Sequence, residues 1–375
     1  MTLFLRSWQG TFALLLCLLA LVRLPLLAAD ASTPFAAAAT TGILLLIAVG
    51  ALASFLRIGR PARAFVLFVT AHTAAWLLIG GISGNEGHAR LSYFLLIAAS
   101  WLLGWRCIAE LADIRPSSRQ AATALRLLIP AIFGAWVLVL WEAITRGAGV
   151  PFILLPPPSA IWDRIVGSVP ILAADVRQTI FKAVLFGYVV GCAAGFMVAI
   201  LADRISFLRR GLLPIGNLMS ALPIIGVAPI MVMWFGFDWQ SKAAVVIVMT
   251  FFPMLVNTVA GLSASGSMER DLMRSYASGY WQTLVKLRLP AAMPFIFNAL
   301  KINSTLALIG AIVAEFFGTP IVGMGFRIST EIGRMNVDMV WAEIAVAAVI
   351  GSVFYGVVAL AERATTFWHP SNRGG

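Results

Sequence analysis

Charge is scarce in this 375-residue chain: Asp, Glu, Lys and Arg make up 11% of it, whereas 61% is hydrophobic and the mean hydropathy is +0.93. A water-soluble domain carries about a quarter of its residues charged, so that class is excluded. Cysteine is reduced to Cys17, Cys107 and Cys192, each inside an apolar run, which points to core packing and away from disulfide or metal chemistry. His72, His88 and His369 are scattered, and no metal-ligand cluster is visible. Acidic residues are outnumbered 16 to 27 by Lys and Arg, giving a formal net charge of +11. The arginines sit in short clusters between apolar runs instead of forming one basic stripe, a membrane-topology pattern that argues against nucleic acid as a partner. Also missing are a Gly-x4-Gly-Lys-Ser/Thr phosphate loop and a Gly-x-Ser-x-Gly nucleophile turn. The chain is therefore expected to be no enzyme and to hold no cofactor or metal of its own.

What is abundant is long apolar runs. A membrane span takes about 20 such residues, and ten candidates are present. Four come first, near Gly10–Ala28, Phe35–Leu56, Ala64–Ile82 and Leu91–Ile108. Six follow, near Leu125–Thr145, Thr179–Ala202, Leu212–Phe235, Ala243–Leu262, Ala291–Phe317 and Val340–Ala361. The first run has the look of a signal peptide, but Arg23 and Pro25 interrupt it and further spans follow, so a retained helix is the better reading. The only convincing linker is the polar stretch from Glu110 to Thr123. The expectation is an all-α polytopic membrane protein of about ten transmembrane helices: a four-helix module over residues 1–115, a linker at 116–124 and a second domain over 125–375.

Basic residues orient the spans. With the N-terminus in the cytosol, one alternating set of loops holds Arg57, Arg60 and Arg63, then Arg115, Arg119 and Arg126, then Arg204, Arg209 and Arg210, then Arg270, Arg274, Lys286 and Arg288, with Arg363 and Arg373 in the tail. The opposite loops hold fewer, so both termini are expected in the cytosol. One long outer segment, Arg146 to Val176, carries Pro156, Pro157 and Pro158 followed by Ser159, a candidate N-cap for a short amphipathic surface helix through Ile161, Trp162, Ile165 and Val166.

The most informative segment is the inner loop from Ser267 to Pro294. Its pattern predicts two short helices joined by a turn near Ser278 and Gly279 and stopped at Pro290. Leu272, Met273 and Tyr276 form an apolar edge beside Glu269, Arg270, Asp271 and Arg274, and such an edge needs a partner groove. This loop resembles the coupling loop of ABC importer permeases, whose pattern is Glu-Ala-Ala, three residues, Gly, nine residues, Ile, any residue, Leu-Pro. Asp271 stands at the Glu, Leu272 and Met273 at the alanines, Ala277 at the Gly, Leu287 at the Ile, and Leu289 and Pro290 close the motif; Arg274, Tyr276 and Gly279 lie within it. Collinear resemblance to the nitrate, sulfonate and taurine permeases extends through PFILLPPPSA (from Pro151), LPIIGVAPIMVMWFG (from Leu222), FFPMLVNTVAG (from Phe251) and ALIGAIVAEFFG (from Ala307). It covers about Leu125 to Trp368.

The resemblance implies a six-helix type I ABC importer permease domain in the bacterial cytoplasmic (inner) membrane. It further implies cytosolic ABC ATPase subunits that hold ATP-Mg, an extracytoplasmic substrate-binding protein, and a second permease copy, in the simplest case forming a homodimer. The solutes of the family are small: sulfonates, taurine, nitrate and pyrimidine precursors. Candidate pathway or gate residues are Pro223, Pro229, Asn257, Asn303 and Glu315. Breaks at Pro214, Gly216, Pro223, Gly226 and Pro229 fit a kinked structural helix or a gate. Asn217, Asn257, Asn298, Asn303, Ser304 and Thr305 fit interhelical hydrogen bonding or solute contact. Glu315 faces the pathway or sits at the outer interface beside Arg327 or Arg334. Gly187, Gly191 and Gly195 form a small-residue stripe for close helix approach. The competing reading is an ion-coupled secondary transporter, which calls for inverted repeats and paired intramembrane carboxylates; no repeat is apparent.

Overall fold

Apolar runs of this length leave the backbone no partner in hydrocarbon except itself, so helix is the expected outcome. A computed structural model describes residues 7–28, 35–219, 223–318 and 321–368, and it contains no strand among them beyond an isolated bridge between Leu27 and Ala89. His369, Arg373 and the side chain of Asn217 lie outside the described parts. Compactness divides the chain into two units, Met1–Asp163 and Arg164–Gly375.

The first unit holds α1 (Trp8–Val22), α2 (Ala37–Ala53), α3 (Arg60–Ile82), α4 (Leu91–Ala112) and α5 (Arg119–Gly147). Helix α4 packs on α1, α3 and α5, and Ile43, Ile47, Leu67, Leu78, Leu96 and Leu103 are fully buried between them. At one end Arg63 and Arg106 converge on the buried Glu110 carboxylate at 2.9 and 2.5 Å. Arg23 caps the C-terminal end of α1, so it lies at the rim of the first span and not inside it. The 116–124 linker read from composition is mostly helix. Ser118 accepts a hydrogen bond from the Ala121 N–H and starts α5 at Arg119. The buried face of α5, with Ile132, Trp136 and Ala143, then joins the core of this unit, which therefore reaches Asp163.

Helix α6 (Pro158–Gly167) is the amphipathic segment expected there, with Ile161 buried and Trp162 and Val166 exposed. Ser159 is not its cap. It lies inside the helix, where its N–H and hydroxyl both donate to Glu142 at 2.9 and 2.7 Å.

The second unit contains α7 (Val169–Arg204), α8 (Ser206–Met219), α9 (Ile224–Phe235), α10 (Trp239–Ser263), α11 (Ser267–Ser275), α12 (Tyr280–Glu315), α13 (Met324–Gly333) and α14 (Val337–Thr365). Helix α10 is its axis, packed between α7 and α12. The glycine stripe makes the α7 contact possible. A Cβ on Gly187 would stand 2.6 Å from Val246 Cβ, on Gly191 2.8 Å from the Ile247 carbonyl, and on Gly195 2.5 Å from the Phe251 carbonyl. Backbone thus rests against backbone, the geometry small residues permit in lipid.

Among the described residues, seven helices are long and apolar enough to cross a membrane: α3, α4, α5, α7, α10, α12 and α14. The remaining expected spans form the shorter apolar helices α1, α2 and α9. The run Leu212–Phe235 is not one helix. It gives α8 and α9, the latter starting after Pro223, whose own backbone is extended at ψ 115°, and a proline carries no N–H to continue a helical ladder.

Gly191→Ala is expected to lower stability by about 1–3 kcal/mol through overpacking at the α7–α10 contact. Gly134→Ala in α5, where an added Cβ meets nothing within 4 Å, is expected to be neutral or stabilising by up to about 1 kcal/mol. Thermal unfolding of both variants in the same detergent checks the contrast.

Candidate functional site: coupling surface and transmembrane path

Helix α11 is nine residues long and ends by a specific device. The Ser278 N–H donates to the Met273 carbonyl at 3.0 Å and the Ala277 N–H to the Arg274 carbonyl at 2.9 Å. This is the Schellman arrangement, and it puts Ala277 at φ +51°. Left-handed backbone favours glycine, which gives a physical reason for Gly in the motif position that Ala277 fills. The residues before it are open to solvent: Met268, Leu272 and Tyr276 are exposed, and the Asp271–Arg274 pair, at 3.3 Å, lies on the surface. Trp281 and Val285 extend the exposed apolar surface onto the start of α12.

Pro290 does not stop the helix that follows. Helix α12 starts at Tyr280, with the Gln282 side chain accepting from the Gly279 N–H at 3.2 Å, and runs on to Glu315. A π-helical stretch over Leu284–Arg288 directly precedes the proline. The wider turn removes the demand for a standard hydrogen bond at Pro290, whose ring would clash with the carbonyl of a regular preceding turn. Leu287 and Leu289 sit at this widening, partly buried.

The base of the loop is fixed by charge. Arg288 grips Asp203 at the end of α7 through two hydrogen bonds, 2.7 and 2.6 Å, and donates a third, at 3.0 Å, to the Leu262 carbonyl at the end of α10. The Tyr280 hydroxyl donates to the same carboxylate at 3.0 Å, and Arg204 lies 4.9 Å over the Tyr280 ring. The base of the loop is thereby tied to α7, α10 and α12 together.

The opposite ends of these helices carry a second polar cluster that sequence reading did not assemble. Fully buried Asp175 on α7 accepts from the Gly323 N–H at 2.6 Å and from Arg327 Nε at 2.9 Å. Glu315 accepts from Thr179 at 2.7 Å and from the Gly325 N–H at 2.7 Å, and Thr179 Oγ1 in turn accepts from the Met324 N–H at 2.9 Å. Buried Lys242 donates to the Phe237 carbonyl at 2.6 Å and to the Gly318 carbonyl. Gly323 is required: its φ is +146°, and a Cβ there would stand 2.9 Å from the Glu315 carboxyl. Arg327 pairs with Asp175 and Arg334 with Glu331, and Glu315, bonded to the Gly325 N–H, lies next to the Asp175–Arg327 pair. Thr179 and Arg327 are 148 positions apart, and no local pattern in the sequence links them.

The other pathway candidates separate by environment. Asn303 is fully buried and donates to the Thr250 carbonyl at 2.8 Å and to Cys192 Sγ at 3.2 Å, tying α12 to α10 and α7. Asn257 donates to the Pro253 carbonyl one turn back, at 2.8 Å. Ser304 bonds within its own helix, while Asn298 and Thr305 are exposed. Pro223 and Pro229 are exposed on α9. Between α8, α9, α10 and α12 lies an apolar cavity of about 110 Å³, lined by residues including Ile224, Val227, Met249, Phe252, Pro253 and Leu306.

A family model described as binding-protein-dependent transport system inner membrane component matches residues 187–367. The riboflavin transport system permease protein RibX of Chloroflexus aurantiacus is 30% identical over 240 residues, 63% of this chain and 88% of the relative. The formylaminopyrimidine transport permease protein ThiX of Halalkalibacterium halodurans is 29% identical over 245 residues, covering 64% and 96%. The putative aliphatic sulfonates transport permease protein SsuC of Bacillus subtilis is 28% identical over 269 residues, covering 71% and 95%. The chain belongs to this family: it is the multi-pass permease component of an ATP-binding-cassette importer, not an ion-coupled transporter.

Arg288→Ala is expected to destabilise the protein by about 3–5 kcal/mol, because it strands Asp203, whose side chain is 2% exposed, as an unpaired buried charge. Asp203→Asn combined with Arg288→Ala is expected to recover part of that loss. Melting temperatures of the two variants side by side test the coupling.

Proposed function

We infer that two copies of this chain line the solute path of the importer and that each presents α11 to a separate cytosolic ATPase subunit, where ATP-Mg is bound and hydrolysed. The single observation that carries this reading is the exposed apolar edge of α11, ending in the left-handed turn at Ala277 and braced on three helices through Arg288 and Tyr280. An isolated solvated loop has no need of that bracing. Closure of the ATPase pair would push α11, and the Arg288–Asp203 contact would carry the motion into the bundle.

The α11 end, with Arg204, Arg209, Arg210, Arg270 and Arg274, is the cytosolic end by the basic-residue bias, and both termini lie on that side. The Asp175–Glu315 end then faces an extracytoplasmic binding protein that delivers the solute. We assign residues 125–375 to the permease domain and 1–115 to an added module. The solute is a small molecule of the sulfonate, taurine, nitrate or pyrimidine-precursor type. Pro223, Pro229 and Asn257, on or next to α9 and α10, are proposed to contribute to the gate. Asn303 and Glu315 are proposed to act by holding helices together.

The test is transport and ATP hydrolysis measured together in a reconstituted importer. Ala277→Val places a β-branched residue at positive φ and is expected to uncouple hydrolysis from uptake without loss of membrane insertion. Ala277→Gly relieves about 1 kcal/mol of backbone cost and is expected to preserve coupling. Asp271→Lys should behave as the valine variant does. Uptake unchanged in both Ala277→Val and Asp271→Lys, or uptake that persists after ATP depletion, would overturn the reading.

A further inference from the structure

The first unit carries a feature that solute transport does not use. On α4, Trp101, Trp105 and Ile108 follow one another at i, i+4 and i+7, and they face Phe133 and Trp136 on α5 across an open groove of about 350 Å³. The two helices meet closely just above it, where a Cβ on Gly104 would strike the Trp136 ring. Trp105 and Phe133 remain 43% and 62% exposed, so these two rings stay open along the groove, while Trp136 is buried at its base. Trp8 packs edge-on against Trp105 at 5.2 Å and closes one side.

Below the groove the helices reach the charged end of the unit. Arg126 lies seven residues before Phe133, on the same face of α5 and roughly 10 Å nearer its start at 1.5 Å per residue. Arg115, Arg119 and Arg126 are all exposed, and none has an ion-pair partner among the described residues. The nearby acids are already engaged, Asp113 by Arg60 and Glu110 by Arg63 and Arg106. No acidic residue occupies the first turn of α5. Arg115 and Arg119 therefore flank the N-terminus of α5, the end where the backbone dipole itself favours an anion, and Arg126 follows about two turns on. An uncovered aromatic groove in a membrane helix pair, continued by uncompensated positive charge at one end, has the polarity of one kind of molecule.

We propose that the α4–α5 groove binds an anionic phospholipid, with its phosphate held by Arg119 and Arg126 and an acyl chain laid along Trp101, Trp105 and Phe133. Charge complementarity selects the headgroup, and the aromatic walls supply contact for the chain. A zwitterionic lipid fits the same walls without neutralising the arginines.

The full-length protein in mild detergent, titrated with phosphatidylglycerol or phosphatidylcholine of identical chains and examined by native mass spectrometry, tests this. Wild type is expected to retain phosphatidylglycerol several-fold over phosphatidylcholine. Arg119→Gln with Arg126→Gln should bring the two to parity, and Trp105→Ala with Phe133→Ala should reduce retention of both. Equal retention by wild type overturns the proposal, as does a preference that survives the arginine changes. Retention untouched by the Trp105 and Phe133 changes overturns it too, because binding would then be at the headgroup alone. Chain-brominated lipids provide a check that needs no variant. Brominated phosphatidylglycerol should quench tryptophan fluorescence more than brominated phosphatidylcholine at the same mole fraction, and equal quenching overturns the site.

Discussion

The contact between α7 and α10 is the one on which the permease unit depends. Three glycines at four-residue spacing let two backbones touch, and in lipid that proximity must supply stability through packing, since no water is expelled between apolar helices. The approach brings Cys192 and the Thr250 carbonyl within reach of the Asn303 amide, so α12 is fixed against the pair by a buried polar group. It also aligns the ends of the three helices, where Asp203 meets Arg288 and Thr179 meets Glu315. Larger side chains at the glycine positions would separate the helices and take these contacts with them.

Much of this was legible from hydropathy alone. Among the described residues, nine of the ten apolar runs each hold one helix and the run from Leu212 to Phe235 holds two, because an apolar segment in hydrocarbon has no alternative way to satisfy its backbone. Their limits were less legible. Helix α7 starts at Val169 and not near Thr179, because Asp175 and Gln178 look like loop residues until their partners Arg327 and Asp238 are in place. Helix α12 starts at Tyr280 and not near Ala291, because the π-helical widening before Pro290 is invisible in a propensity pattern. The polar stretch around Ser118 looked like a boundary and proved to be a helix cap.

The candidate site divides in the same way. The resemblance of the 271–290 loop to the coupling motif could be read because the spacing is local: Asp271 to Pro290 lie within twenty residues, and the left-handed turn falls on Ala277, the position the motif gives to glycine. The cluster around Asp175 was not readable, since its members come from α7, α12, α13 and the segment before α13. Glu315 stood out from the sequence, but its partners Thr179 and the Gly325 N–H could not be named from its neighbours. Long-range pairing of this kind is set by the packing of α7 against α12, not by anything in the vicinity of either residue.

The two polar ends have a mechanical consequence. Helix α7 is tied to α12 by Thr179–Glu315 at one end and by Asp203–Arg288 at the other, roughly 36 Å apart along α7 at 1.5 Å per residue. Sliding one helix past the other like a piston would break both attachments at once. Rotation of the pair as a single strut breaks neither. The two attachments thus oppose sliding between α7 and α12 and leave the pair free to move as one body.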